Sequence, residues 1–341
     1  MTRAHSTLRV VALATIACVG AAQLVSTQVQ PAARLWPPRL SGPAPGELQI
    51  LPVRGNVHVI IGAGSNVTVQ TGPSGVLVVD TGAAAMSQKV LAAIRSISPG
   101  PIRYIVNTTE FDDYVGGNAP IADAGEIVPF REANYTAGPQ GALDITKASV
   151  ISYYTLFQRL VGPTGQTPKI PEVGWPDNTF SIEQKRLYFN DEPVVILHRV
   201  SNTDANSIVL FRRSDVISTG GLLDLTSYPV IDPGNGGGIN QMVDALNSLI
   251  DLAVPARNAE GGTLVVPGRG RIADHAEVVI YRDMMSVIRD RVDAMVKGKM
   301  TLAQVKAARP TRDYDNRYGK AAGPWTTDMF VEAVYRSLSK S

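Results

Sequence analysis

The sequence is poor in the residues that most often carry reactive or metal-bound chemistry. Its one cysteine, Cys18, lies within an apolar N-terminal run, so the rest of the chain has neither a thiol nor a disulfide. It has four histidines, His5, His58, His198 and His275, which limits any histidine-rich metal centre. With 44% hydrophobic and 18% charged residues, the composition is typical of a globular protein with a substantial core.

The chain also lacks a large net charge. It contains 32 basic and 30 acidic residues, and the first 25 residues hold Arg3 and Arg9 but no acid. Loss of that segment would leave equal numbers of basic and acidic residues. No cluster of lysines and arginines marks a surface for nucleic acid. We therefore expect no nucleic-acid partner, whereas a small-molecule ligand stays possible and the sequence does not indicate an oligomeric state.

The first 48 residues are predicted to lie outside the folded domain. Arg3 and Arg9 precede an apolar run from Val10 to Ala22, the pattern of a cleavable signal peptide. This run is shorter than the ~20 residues that span a bilayer, so we expect no membrane span. Residues 1–25 are predicted to direct export to the periplasm or beyond, and the Pro- and Ala-rich residues 26–48 to form a linker.

Lipidation of Cys18 is an alternative fate for this segment. The three preceding residues, Thr15-Ile16-Ala17, lack the leucine expected three positions before a lipidated cysteine. Plain cleavage is therefore the preferred interpretation.

Residues 49–275 show short apolar runs that alternate with helical periodicity, which is typical of a layered α/β domain. A segment at 138–177, rich in Gly and Pro, is predicted to be an insertion. We predict strands at 57–61, 67–69, 76–79, 102–106, 193–197, 207–211, 215–218 and 263–266, and helices at 86–97, 115–124 and 239–252. The insertion is expected to be partly helical around residues 149–160.

Residues 276–341 are predicted to form a helical C-terminal extension. Apolar residues step by three and four from Val278 to Met295, and Asp274 with Glu277 has the spacing of a capping box. Thr301 and Gln304 repeat that capping signature for a second helix, and a last helix is expected at 327–338.

Several motifs occur in a fixed order between residues 50 and 290, and together they carry a resemblance. In the first half they are Asp80-Thr81-Gly82 after a strand, then Asn107-Thr108 and Gly116-Gly117-Asn118; in the second half they are Ser201–Asn206, Ser218–Gly221 and Val266–Gly270. These motifs resemble those of the metallo-β-lactamase superfamily. The resemblance implies an αββα sandwich with the site at one rim of its two sheets, and an Asp80 that hydrogen-bonds the motif loop.

The resemblance also implies where zinc ligands would stand. The seven family positions fall on Thr109, Phe111, Asp113, Tyr114, Asn202, Gly221 and Arg269, and only Asp113 keeps the family residue. Phe111 cannot coordinate a metal, Gly221 has no side chain, and Arg269 puts a permanent cation where a dication would lie. We therefore predict no cofactor and no zinc centre.

The residues at these positions could still form a site without metal. In the family fold Asp113, Tyr114, Asn202 and Arg269 would share a pocket, as general base, phenol donor, amide donor and oxyanion clamp. His198, at a strand end, could carry a proton near pH 7, or could simply be hydrogen-bonded there. The alternative for the pocket is an ion pair between Asp113 and Arg269 that refills the vacated space as a structural plug.

Neighbouring acids allow a further interpretation. Glu110, Asp112 and Asp113 offer oxygens of the kind that Mg²⁺ or Ca²⁺ accepts. Alternate residues of an extended segment point in opposite directions, however, so we prefer to read Asp112 and Asp113 as caps of the helix that follows.

Three functions remain open. The first is a degenerate homologue, a pseudoenzyme that has lost its metal site and acts as a binding or structural protein or is catalytically silent. The second is a hydrolase of ester, lactone or amide (β-lactam-like) bonds with an altered or absent metal centre. The third is a mononuclear metal site completed by Asp113.

Overall fold

The computed structural model describes residues 42–126, 147–258 and 261–339. The predicted signal peptide, most of the linker and the first part of the predicted insertion lie outside these residues. The first sheet has seven strands in chain order, antiparallel from β1 to β4 and parallel from β4 to β7. They are β1 Gln49–Arg54, β2 Val57–Ala63, β3 Ser65–Gly72, β4 Gly75–Val79, β5 Ile102–Val106, β6 Ser149–Tyr153 and β7 Asn178–Phe180.

The second sheet has six strands in the order β13-β12-β11-β10-β9-β8. Its strands are β8 Gln184–Phe189, β9 Glu192–His198, β10 Ser207–Phe211, β11 Val216–Ser218, β12 Leu264–Val266 and β13 Ala273–Asp274. Only the pair β11 and β12 is parallel among the neighbours of this sheet. The helices are α1 Ser87–Ile97, α2 Asp112–Val115, α3 Asn118–Asp123, α4 Tyr154–Val161, α5 Ile239–Leu252, α6 His275–Lys297, α7 Leu302–Ala308, α8 Asp315–Tyr318 and α9 Thr327–Ser339.

The strand alternation divides the core into layers. In β4, Leu77 and Val79 join a cluster between the two sheets, whereas Val76 and Val78 join a cluster that includes residues of α1. The outer face of the second sheet packs against α5, α6 and α9. The predicted αββα architecture with C-terminal helices is therefore confirmed.

Local capping explains where two C-terminal helices begin. Asp274 accepts a hydrogen bond from the Glu277 amide at 2.9 Å at the start of α6. Thr301 and Gln304 form both halves of a capping box at the start of α7. Within the described residues, no helix is long and apolar enough to cross a bilayer.

Two helix predictions are sharpened by the structure. The segment expected to be partly helical around 149–160 is helical from Tyr154, because Ser149–Tyr153 is a strand of the first sheet whose β-branched Val150 and Ile151 are buried. The helix expected at 115–124 is two short helices that meet at Gly116-Gly117. A Cβ on Gly117 would lie 2.5 Å from the Thr81 carbonyl oxygen, so this close approach requires glycine.

The capping role expected for Asp112 and Asp113 is wrong. The N-cap of α2 is Phe111, and neither carboxylate caps it; both lie in the first turn of the helix. Asp112 instead forms an exposed ion pair with Lys169 at 3.1 Å. Asp113 has a different partner, described below.

Candidate functional site

Asp80 ties the end of β4 to the end of β5. Its backbone has a φ of +58°, and its carboxylate accepts hydrogen bonds from the Thr108 amide at 2.9 Å and the Thr108 hydroxyl at 2.7 Å. Complete burial raises the pKa of Asp80 to about 7, although the two hydrogen bonds from Thr108 act in the opposite direction. The predicted contact between Asp80 and the motif loop is confirmed.

Asn118 completes this support from the start of α3. Its side-chain oxygen accepts from Thr81 Oγ1 at 2.9 Å and from Asn107 Nδ2 at 3.0 Å. Its amide donates to Asn107 Oδ1 at 2.7 Å and to the Gly174 carbonyl at 3.1 Å. We call Asp80, Thr81, Asn107, Thr108 and Asn118 the scaffold network. Its members are buried and form two hydrogen-bonded groups, Asp80 with Thr108 and Asn118 with Thr81 and Asn107, which together hold the loops after β4 and β5 in place.

Arg269, which follows β12, lies between two carboxylates. Its Nη2 forms an ion pair with Asp113, its Nη1 donates to Asp224 Oδ2 at 3.2 Å, and its Nε donates to the Gly64 carbonyl at 3.1 Å. The backbones of Asp224 and Arg269 also pair as a β-bridge. One guanidinium thus joins the motif loop, the loop after β11 and the β2–β3 turn.

Tyr114 fills the space beside this guanidinium. Its ring is buried, and the Arg269 Cζ lies 5.8 Å from the ring centroid. A Cβ on Gly268 would overlap the Tyr114 hydroxyl, which shows how closely the phenol approaches that loop. Burial raises the pKa of Tyr114 well above its usual value. We call Asp113, Tyr114, Asp224 and Arg269 the Arg269 cluster.

Asp224 is a member that the sequence analysis missed. It is buried and accepts hydrogen bonds from the amides and hydroxyls of Thr226 and Ser227, at 2.7 to 3.0 Å. Burial raises its pKa, against these hydrogen bonds. The sequence pattern that could have pointed to Asp224 is Asp-x-Thr-Ser, which begins three residues after Gly221 and is typical of an Asx turn.

Asn202 is held by the loop that contains Val230. Its amide donates to the Val230 carbonyl at 2.6 Å, and its oxygen accepts from Ser201 Oγ at 3.3 Å. The side chain faces Gly221, where a Cβ would lie 3.4 Å from Asn202 Oδ1. The structure therefore brings Asp113, Tyr114 and Arg269 together, whereas the functional groups of Asn202 are engaged elsewhere.

The side chain of His198, at the end of β9, is also engaged by its neighbours. Its Nε2 donates to the Asp204 carbonyl at 2.7 Å, and its ring stacks on Tyr153 with centroids 3.6 Å apart. Desolvation by partial burial lowers its pKa. Of the two interpretations of His198, a proton carrier or a hydrogen-bonded residue at a strand end, these contacts agree with the second.

Glu110 belongs to a second ionic group that the sequence analysis did not foresee. It is buried, pairs with Arg159 Nη1 at 2.5 Å, and accepts from Thr203 Oγ1 at 3.2 Å. Arg159 also pairs with Asp204. We call Glu110, Arg159, Thr203 and Asp204 the Glu110 cluster. The three carboxylates proposed for Mg²⁺ or Ca²⁺ thus each have a different cationic partner: Glu110 pairs with Arg159, Asp112 with Lys169 and Asp113 with Arg269.

The residues at the family's ligand positions do not fit a zinc ion. Thr109 donates its hydroxyl to Glu110 Oε2 at 3.3 Å, and Phe111 contributes only an aromatic ring, 6.4 Å from that of Tyr114 between centroids. The retained Asp113 carboxylate is paired with Arg269. Across the described parts of the chain, no group of three His, Cys, Asp or Glu side chains could hold a metal ion.

Comparisons with known proteins agree with this architecture. The sequence profile of the metallo-β-lactamase superfamily matches residues 60–212. The stereoselective inverting sec-alkylsulfatase Pisa1 from Pseudomonas sp. has a similar structure, with a TM-score of 0.61 and 14% identity over 85% of this chain and 50% of that one. This chain therefore spans about half the length of that alkylsulfatase.

Two smaller proteins are matched over nearly their whole length. A metallo-β-lactamase from Pontibacter korlensis has a TM-score of 0.50 and 15% identity, over 70% of this chain and 99% of that one. The DIM-1 metallo-β-lactamase has a TM-score of 0.50 and 18% identity, over 72% and 99%. No curated protein matches the sequence. The chain therefore has a metallo-β-lactamase-like fold, and its residues 60–212 match the sequence profile of that superfamily.

Proposed function

We propose that this protein is an exported member of the superfamily that does not use zinc and acts as a binding or structural protein. The observation that carries the proposal is the position of the Arg269 guanidinium between Asp113 and Asp224. The export part rests on the N-terminal sequence pattern alone.

Electrostatics supports this proposal. A zinc ion needs several ligands that can donate an electron pair, and an arginine, which is always protonated, cannot be one. The Asp113 carboxylate, the one retained ligand, already has a cationic partner in the same space. A metal ion would have to displace that guanidinium and leave it as an unpaired cation, in a place where desolvation already lowers its pKa. A mononuclear site completed by Asp113 meets the same obstacle.

The hydrolase alternative requires Asp113 to act as a general base. Its carboxylate is already paired with Arg269, and it would have to leave that guanidinium to accept a proton from a substrate or a water. In addition, Asn202, the proposed amide donor, is bonded to the Val230 carbonyl. These contacts favour the binding or structural role over hydrolysis.

Elemental analysis and activity assays of the purified protein test the proposal. After dialysis against zinc and removal of free metal, we expect substoichiometric zinc. A panel with a β-lactam, a secondary alkyl sulfate and simple esters and lactones should show no turnover. The first two substrates are chosen because the similar structures are β-lactamases and an alkylsulfatase.

Two results would change the conclusion. Stoichiometric zinc would overturn it and restore a metal-dependent role. Turnover that survives a chelator and disappears in Asp113→Asn would instead support the metal-free hydrolase. Localisation is tested separately, by fractionation of cells and N-terminal sequencing of the exported protein.

A further inference from the structure

Arg269 also lines a cleft beside the Arg269 cluster. The cleft has a volume of about 710 Å³ and is bounded by residues 42–46, the β2–β3 turn and the loop after β12. Arg317 and Lys320, at and after the end of α8, close its other side. This volume is in the range of small-molecule sites in proteins.

The charged side chains that line the cleft are all cationic. Arg269, Arg271, Arg317 and Lys320 all line the cleft, and no Asp or Glu is among its described lining residues. Asp113, Asp224 and Glu277 offset the charges of Arg269 and Arg271 but do not line the cleft. An anion in the cleft would therefore meet cationic N–H donors and no lining carboxylate.

Two of these cations are held in place. Arg271 forms a two-point ion pair with Glu277 in the first turn of α6 and donates to the Ile272 carbonyl at 3.1 Å. Arg269 is held by its two aspartates. A guanidinium has five N–H groups, so each retains donors beyond those used in these contacts. Because the side chains are already ordered, an anion that binds them costs less conformational entropy.

The remaining wall is largely apolar. Leu51 from β1, Ile61 from β2, Leu225 from the loop after β11, and Pro43 and Pro45 line it. A small inorganic anion would leave this surface in contact with water, whereas an organic anion would cover it.

We propose that the cleft binds a small amphipathic anion, with a carboxylate or sulfate-ester head near the cations and an aliphatic body along the apolar wall. This deepens the proposed function by naming a ligand class. It rests on that function in one respect, namely that without a metal ion Arg269 stays at the cleft wall, with N–H groups beyond those that bind its two aspartates and the Gly64 carbonyl.

Calorimetric titration of the purified protein at constant ionic strength tests the proposal. The probes are octanoate and octyl sulfate, with acetate as a head-only control and 1-octanol as a body-only control. Burial of methylene groups should make octanoate bind more than about tenfold more tightly than acetate. The uncharged 1-octanol should bind at least about tenfold more weakly than octanoate, because it cannot pair with the cations.

A matched pair of variants locates the site. Lys320→Gln removes an exposed cation of the cleft, and Lys299→Gln makes the same change at an exposed position after α6. We expect Lys320→Gln to weaken octanoate binding about three- to tenfold and Lys299→Gln to leave it unchanged. Equal binding of octanoate and 1-octanol, equal effects of the two variants, or no binding of octanoate would each overturn the proposal.

The outcomes separate this inference from the proposed function. Absence of octanoate binding in a protein without zinc would remove the ligand class and leave the zinc-independent role intact. Stoichiometric zinc would overturn the proposed function whatever the titration shows.

Discussion

The scaffold network and the Arg269 cluster lie at the same rim of the sandwich but differ in how they relate to the family. The scaffold network keeps the family residues, and its side chains satisfy one another through neutral and charge-assisted hydrogen bonds. In the Arg269 cluster Asp113 alone matches the family motif, and the guanidinium of Arg269 lies between two carboxylates.

This difference separates two requirements that a metal site normally combines. The loop shape depends on buried hydrogen bonds that have no substitute, whereas ligand side chains have a structural role only while a metal is present. In this chain Arg269 pairs with both carboxylates, and Tyr114 fills the space beside the guanidinium. Substitutions in the two regions are therefore expected to differ in their effect on the free energy of unfolding.

The largest effect is expected at Asn118. Asn118→Ala removes four hydrogen bonds and leaves buried partners on Thr81, Asn107 and Gly174, so we expect a loss of about 4 kcal/mol in the free energy of unfolding. Urea denaturation measures it. The same substitution at the exposed Asn316 should cost less than about 0.5 kcal/mol. A loss at Asn118 no larger than at Arg269 would contradict the ranking of the two regions.

A slightly smaller effect is expected at Arg269. Arg269→Met leaves the buried Asp224 carboxylate without its cation and should cost about 3 kcal/mol. Adding Asp224→Asn to that variant should recover at least about 1 kcal/mol, because the uncompensated charge is removed. Arg312→Met, at an exposed ion pair, is the control. If Asp224→Asn destabilises the Arg269→Met protein further, the cluster is not held together by charge balance.

The pH dependence of stability probes Asp80. Its pKa is about 7 in the folded protein against an ordinary value of 3.8, so the folded state holds a proton that the unfolded state has released by pH 5. Stability from this group is therefore present at low pH and lost as pH rises, by roughly 2 kcal/mol between pH 5 and pH 7. The Asp80→Asn protein lacks this group, so between pH 5 and pH 7 its free energy of unfolding should rise relative to that of the unchanged protein. A difference independent of pH would show that Asp80 does not titrate there.

The smallest effect is expected in the Glu110 cluster. Glu110→Gln keeps the shape and hydrogen-bonding capacity of the side chain but weakens its pairing with the partly exposed Arg159, at a cost of about 1 kcal/mol. Glu126→Gln, at an exposed ion pair with Arg103, should cost less. A loss of unfolding free energy as large as that of Arg269→Met would mean that the Glu110 cluster contributes as much to stability as the Arg269 cluster.

The fold could be predicted from the sequence because the motifs and the apolar periodicities that indicate it are local. The predicted helix at 239–252 and strand at 207–211 agree with α5 and β10, where apolar spacing is regular. The prediction missed strands β1 and β8, which lie at sheet edges and carry polar residues such as Gln49, Lys185 and Arg186. Such strands form because a neighbour offers hydrogen bonds, and a single sequence does not show that neighbour.

Less of the candidate site could be predicted from the sequence, for the same reason. The positions of Asp113, Tyr114 and Arg269 follow from motif spacing, but their partners do not. Asp224 is 45 residues from Arg269, and Arg159 is 49 residues from Glu110. No local pattern links such pairs, and only the packing of distant loops at the rim brings the charges together.

The position of Arg269 between two acids also makes three segments of this rim interdependent. Asp113 belongs to α2, Asp224 to the loop after β11 and Arg269 to the loop after β12, so one side chain connects parts of the chain that are far apart in sequence. A change of Arg269 to histidine would separate both carboxylates from their cation, while Tyr114 would still occupy the space beside Gly268. A metal-binding residue introduced at this position alone would therefore lower stability before it could bind an ion.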